Sequence, residues 1–168
     1  MALTERGLCA CYQRLERPLF NVLYRMLWNR HECQDLMQDA FLRVWQRRDK
    51  VDMARLDSLV WVAAMNLARN RLRWQRLWRT EPFDAEDWTD TQPTPEQTLD
   101  GQTRQRRLHA ALKQLPAAMR DVMLLSEFAE LSQAEIATVL DIPSGTVASR
   151  RHQALKKLRT LLQEDSHV

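Results

Sequence analysis

Glycine is scarce, with three residues in a chain of 168. So few cannot supply the turns of a many-stranded sandwich or barrel. Gly7, Gly101 and Gly145 stand far apart, so no glycine-rich phosphate loop exists and a nucleotide-binding α/β fold is excluded. Long apolar runs are also missing. The longest, Leu59 to Met65, falls far short of the roughly 20 residues a membrane-spanning helix needs. Near the N-terminus Glu5, Arg6, Arg14, Glu16 and Arg17 leave no continuous apolar stretch, so a secretory signal is not expected. Cysteine is rare and odd in number. Cys9, Cys11 and Cys33 read as free thiols, mostly small apolar fillers, in a reducing, cytoplasmic compartment.

What the chain does have is charge, unevenly placed. The formal net charge is only +3. Residues 1–80 carry 15 Lys+Arg against 8 Asp+Glu, a net of +7. Residues 81–103 carry no base and seven acids, a net of −7, and residues 104–168 carry 10 bases against 7 acids, a net of +3. The acidic segment also holds Pro82, Pro93, Pro95 and Gly101 and shows no periodicity. It reads as a flexible, solvated linker between two small basic domains. Phe83 and Trp88 within it are aromatics able to dock on a neighbouring surface. The charge pattern further predicts that the two basic domains draw together around the linker in the isolated chain.

Apolar residues on both sides recur at helical spacing, and no strand is predicted, so the fold class is all-α. Leu15, Leu19, Val22, Leu23, Met26 and Leu27 form one stripe. Leu36, Ala40, Phe41, Val44 and Trp45 form a second, and Trp61, Met65, Ala68 and Leu72 a third. RRDKVDMARLDS between the last two reads as a loop. After the linker, Leu108, Leu112 and Leu115 predict a short helix stopped by Pro116, and Met119, Val122 and Met123 predict another.

The sharpest local pattern runs from Ser132 to Arg159. Ser132 and Glu135 have the spacing of a capping box, in which hydroxyl and carboxylate satisfy the unpaired amides of a helix start. Asp141-Ile-Pro-Ser144 breaks that helix. Ala137 and Val147, ten residues apart, suit a helix-turn-helix whose helices cross closely. The second helix then offers Thr146, Ser149, Arg150, His152 and Gln153 to base edges, and Arg151, Lys156, Lys157 and Arg159 to phosphates, with Ser144 at its start. A second polar stripe lies in the first half. Asn66, Arg69, Asn70, Arg73 and Arg76 fall on one helical face, with Trp61, Trp74 and Trp78 on the same helix to stack on bases or fill the core.

Nothing reads as catalysis. His31, His109, His152 and His167 have no Ser or Asp partner at a recognisable spacing, and Cys9-x-Cys11 and His31-x-Cys33 lack the spacing of a zinc site. No enzyme activity, metal, cofactor or small-molecule substrate is expected.

These motifs together resemble the extracytoplasmic-function class of sigma-70-type sigma factors, promoter-recognition subunits of bacterial RNA polymerase. CQDLMQDAFLRVWQ is similar to the family's polymerase-binding helix and LVWVAAMNLARNRLRWQR to the helix that opens and reads the −10 element. LKQLPAAMRDVMLL with LSQAEIATVLDIPSGTVASRRHQALKKLR is similar to the −35-reading domain. The resemblance implies that Asp35, Leu36, Gln38 and Asp39 grip core RNA polymerase. It implies that Asn66 reads a −10 base, with Asn70, Arg73 and Arg76 on the same face. The loop from Val51 to Ser58, with Leu56 where the family often has an aromatic residue, would hold a flipped base. Thr146, Ser149, Arg150 and His152 would open the −35 recognition helix. The family often has Trp where this chain has Leu59, with Trp61 two residues later, and Arg where it has Ala148.

The implied function is an alternative sigma factor. Residues 1–80 would bind polymerase and the −10 element, 81–103 would be the linker, and 104–168 would bind the −35 element. Implied partners are core RNA polymerase, promoter DNA and an anti-sigma factor, often membrane-anchored. A promoter spacer of about 17 base pairs measures about 58 Å, within the roughly 76 Å reach of 23 extended residues. The main rival is a stand-alone helix-turn-helix regulator. It would need a dimer interface for paired half-sites, and no spare apolar stripe or heptad offers one.

Overall fold

Thr4 starts the first helix by accepting a hydrogen bond from the Gly7 amide on its side-chain oxygen at 3.1 Å. The computed structural model describes residues 2–78 and 99–165. Seven α-helices follow one another: α1 (Glu5–Leu27), α2 (Arg30–Gln46), α3 (Leu56–Trp78), α4 (Leu99–Gln114), α5 (Ala117–Glu127), α6 (Gln133–Leu140) and α7 (Ser144–Asp165). No strand occurs among the described residues, and none of their helices is long and apolar enough to cross a membrane. Of the expected linker, 81–103, residues 81–98 with Phe83 and Trp88 lie outside the described residues. Its last residues do not belong to a linker, because α4 already begins at Leu99.

Helices α1 to α3 pack on one another, and α7 packs across α4, α5 and α6. The apolar stripes read from the sequence face inward. Leu19, Val22 and Leu23 of α1, Ala40 of α2, and Val60, Ala64, Met65 and Ala68 of α3 are buried. Leu112, Leu115, Val122 to Leu125, Ile136, Val147 and Ala154 fill the second bundle. Helix α1 continues through Pro18, which removes an amide donor without ending the helix. Trp28 then turns the chain with φ 54°, a left-handed conformation unusual for a large side chain, and Asn29 caps α2.

The stretch expected as a loop before α3 forms two 3-10 turns, Arg48–Lys50 and Met53–Arg55, and α3 starts three residues earlier than expected. Cys11 and Cys33 are buried, and burial pushes both thiols up to about 12, with Asp57 reinforcing the first and Glu32 the second. Cys9 departs from the expected filler role, because it is exposed.

The two bundles touch. Arg69 Nε of α3 donates to Asp121 Oδ2 of α5 at 2.8 Å. The Arg25 guanidinium lies 3.9 Å from the centre of the Phe128 ring, and the Trp28 and His109 rings lie 4.4 Å apart. The two bundles thus meet through these contacts, and the acidic linker that the sequence reading invoked lies outside the described residues.

Candidate nucleic-acid interface

Helix α3 carries the first polar surface. Its apolar face is fixed in the core, so the residues three and four apart on the opposite side must face outward. Asn66, Asn70, Arg73 and Arg76 are exposed along that face. Arg69 shares it but is held by Asp121. Arg71 points elsewhere and ties α3 to α2, its Nη2 lying 2.6 Å from Glu32 Oε1, while Gln75 donates to the other oxygen of Glu32 at 3.0 Å. Trp74, Leu77 and Trp78 are exposed at the end of α3, and the two indoles stack on each other with centres 5.5 Å apart.

Beside Asn66 lies a pocket of about 510 Å³, lined by Arg43, Arg47, Val51, Leu59 and Ala63 among others. Its volume falls within the roughly 300–1,000 Å³ range of small-ligand sites. Apolar Val51, Leu59 and Ala63 suit the faces of a base. Asn66 brings donor and acceptor groups, and Arg43 and Arg47 bring positive charge for a phosphate. Arg43 and Arg47 were missed in the sequence. Arg43 lies in the last turn of α2 and Arg47 directly follows its end, and their neighbourhood with Asn66 arises only in the fold.

Three expected contacts are corrected by burial. Trp61 is 2% exposed and fills the core of the first bundle, so its ring offers no face to DNA. Leu56, also 2% exposed, sits under the start of α3, and Val51 and Leu59 line the pocket in its place. Leu36 is buried against the other helices. Its α2 neighbours Asp35, Gln38 and Asp39 are exposed. Gln38 also borders a groove of about 970 Å³ between α1 and α2, lined by Leu8, Tyr12, Phe20, Phe41 and Leu42.

In the second bundle the capping box forms as read. Ser132 accepts from the Glu135 amide at 3.1 Å, and Glu135 accepts from the Ser132 amide at 2.8 Å. Asp141 ends α6 with φ 54°. Gln133 Nε2 then donates to the carbonyl and hydroxyl of Ser144, at 2.8 and 2.9 Å, which fixes the turn between α6 and α7. Ser144 therefore holds the turn as well as opening the helix. Ser149, His152 and Lys156 are exposed on α7, and Thr146 and Arg150 are half-buried. Arg151 is corrected. It donates to Ser126 at 2.8 Å and to Glu127 at 3.1 and 2.6 Å, which pins α7 to α5 and takes it away from a phosphate. Among the described residues no group of three or more His, Cys, Asp or Glu is placed to hold a metal ion.

The arrangement defines an all-helical protein with two separate polar surfaces among the described residues, one on a helix-turn-helix and one beside a pocket of small-ligand size. Comparison with known proteins agrees. The family model "Sigma-70 region 2" matches residues 11–80, and "Sigma-70, region 4" matches residues 105–158. The chain is 33% identical over 160 residues to the ECF RNA polymerase sigma factor SigL of Mycobacterium tuberculosis, covering 92% of this chain and 88% of that protein. Its fold matches CnrH, solved in complex with the cytosolic domain of CnrY. The TM-score is 0.75 at 21% identity, covering 96% of this chain and 91% of that one. It also matches the sigma factor RpoE of Bartonella quintana, solved with the anti-sigma factor NepR. There the TM-score is 0.60 at 21% identity, covering 94% and 92%. The chain belongs to the extracytoplasmic-function RNA polymerase sigma factors, the alternative sigma factors that direct promoter-specific transcription initiation.

Proposed function

We propose that residues 1–80 bind core RNA polymerase and the −10 element, and that residues 104–168 read the −35 element. The observation that carries this assignment is the pocket beside Asn66, which continues into the exposed row of Asn70, Arg73 and Arg76. A chain that binds an unpaired base better than a stacked one shifts duplex toward single strand. Extruding a base costs a few kcal/mol, offset by contacts in the pocket and attraction of the phosphates. Asn66 hydrogen-bonds the base edge, and Arg43 and Arg47 hold the adjoining phosphates.

The exposed acids Asp35 and Asp39, with Gln38, meet a basic surface of the polymerase. In the second domain Ser149, Arg150 and His152, with Thr146, address base edges, and Lys156 addresses phosphate. The polymerase supplies the chemistry, so this chain needs no catalytic group, and it acts in the cytoplasm with that enzyme. RpoE of Bartonella quintana has been solved with an anti-sigma factor, and we assign this chain a partner of the same kind. The test is transcription by purified core polymerase on genomic DNA fragments, with and without this chain. New, defined start sites that require the chain support the assignment. Unchanged initiation, with duplex binding by the isolated chain, supports a stand-alone regulator.

A further inference from the structure

The last two turns of α3 carry a surface that the pocket beside Asn66 does not use. Trp74, Leu77 and Trp78 are 62%, 73% and 72% exposed. Apolar side chains grouped on a surface mark a contact site, where scattered ones would not. Trp61 of the same helix lies in the core, so α3 divides its three indoles between packing and solvent. Trp74 and Trp78 stand one turn apart and stack on each other, with ring centres 5.5 Å apart and planes 26° apart. Each ring covers one face of the other and leaves an outer face open. The pairing holds both side chains in one orientation before any ligand arrives, which lowers the ordering cost of binding.

Charge decides what this surface fits. A rotation of about 100° per residue puts Arg73 and Leu77 in line with Asn66 and Asn70, the two indoles on one flank and Arg76 on the other. Arg69 and Arg71 are taken by Asp121 and Glu32. Arg73 and Arg76 are exposed and form no ion pair among the described residues. An apolar protein partner laid over the indoles would bury these two cations without counter-charges, which is strongly unfavourable. A nucleic-acid strand offers base faces to the indoles and phosphates to the arginines at once. A duplex keeps its base faces closed inside the stack, so the matching ligand is unpaired. The rise of about 1.5 Å per residue places Trp74 and Trp78 about 12 and 18 Å beyond Asn66 along the axis. At about 3.4 Å per stacked nucleotide this spans about four to five nucleotides. The indoles therefore meet bases further along the strand than the one beside Asn66.

We propose that Trp74 and Trp78 form a stacking platform for unpaired bases of single-stranded DNA, with Arg73 and Arg76 holding the adjoining phosphates. Every base has a π-face, so the platform grips the strand without regard to its sequence. The inference rests on assigning the α3 face to DNA, and it adds a second contact that the pocket does not supply. The test measures fluorescence anisotropy of the full chain with a labelled oligothymidylate of about 12 nucleotides, within the span of one single-strand-binding fold. The comparison strand is the same backbone made abasic. It keeps every phosphate and loses every base, so the ratio of the two affinities reads base contacts alone.

Trp74→Ala with Trp78→Ala should reduce that ratio by about tenfold, the scale of one or two lost stacking contacts. Both sites are exposed, so alanine there leaves the core intact. The salt slope of binding should not change, because no phosphate contact is lost. Trp74→Phe with Trp78→Phe should recover most of the ratio, since a phenyl ring also stacks. Arg73→Ala should keep the ratio and lower the salt slope by about 0.7. An unaltered chain that binds both strands equally, or an alanine pair that weakens both equally, overturns the proposal. Self-association of the chain that the alanine pair abolishes, with no base dependence, overturns it in favour of a protein-facing surface. Asn66→Ala separates the platform from the reading it rests on. Normal promoter melting by Asn66→Ala, with the ratio falling as expected in the alanine pair, overturns the assignment of the pocket and leaves the platform standing. Impaired melting by Asn66→Ala, with the ratio unchanged in the alanine pair, overturns the platform and leaves the pocket.

Discussion

Arg151 separates a structural role from a DNA-contact role within one side chain. Its guanidinium makes three hydrogen bonds to Ser126 and Glu127. The Arg151 and Glu127 side chains are 47% and 38% exposed, so solvent screens the ion pair. Exposed pairs contribute about 0.2–1 kcal/mol, and the hydroxyl bond places the whole near 1 kcal/mol. Arg151→Ala should therefore lower the melting temperature of the chain by about 2–4 °C. It should leave the salt dependence of promoter binding unchanged, because no phosphate contact is lost. Lys156→Ala, at an exposed site on the same helix, should do the reverse. It removes about 0.9 from the slope of log affinity against log salt and changes stability by no more than about 0.5 kcal/mol. Both slopes are measured by fluorescence anisotropy with the reconstituted polymerase across a potassium chloride series. If Arg151→Ala lowers the slope as Lys156→Ala does and melts normally, the pin between α5 and α7 is not what that residue is for.

Two further outcomes follow from the same geometry. Asp35→Lys with Asp39→Lys should abolish co-purification with core polymerase, since like charges misplaced in an interface cost several kcal/mol; unchanged capture by the folded double variant removes this face of α2 from the interface. Burial lowers His109 to about 4, with Lys113 adding to the effect. The unfolded chain thus takes up a proton below about pH 6.5 that the folded chain refuses, and stability falls as pH drops from about 6.5 toward 4, by about 3 kcal/mol at the lower end. His109→Phe should flatten that segment of a denaturation-against-pH curve, and a curve identical to that of the unaltered chain contradicts the burial argument.

The helices were legible because each buries one apolar stripe, and a stripe is a local pattern. Leu19, Val22 and Leu23 of α1, or Val147 of the helix-turn-helix, reveal their faces by spacing alone. The capping box was legible for the same reason, since Ser132 and Glu135 act within one turn. Long-range pairings were not. Arg69 meets Asp121 across 52 residues, and Arg151 meets Glu127 across 24; a sequence shows the charge of each and nothing of its partner. Trp61 shows a similar limit, because an indole on the boundary of a stripe fits a core and a DNA surface equally well by pattern. Its burial was decided by the packing of α1 and α2 on α3. The start of α4 was hidden because LDGQT carries a glycine and polar residues at helix positions.

The most direct measurement of the account is promoter melting by reconstituted polymerase carrying Asn66→Ala. Permanganate reactivity of unpaired thymines is followed on a promoter that the unaltered complex transcribes, alongside equilibrium binding to the same fragment. Asn66 borders the pocket and is exposed on α3, so its loss should reduce thymine reactivity by about tenfold, the effect of one lost base contact of roughly 1–3 kcal/mol. Initial association should fall by less than about twofold. Normal melting by the variant would contradict the assignment of the α3 face and its pocket to the −10 strand.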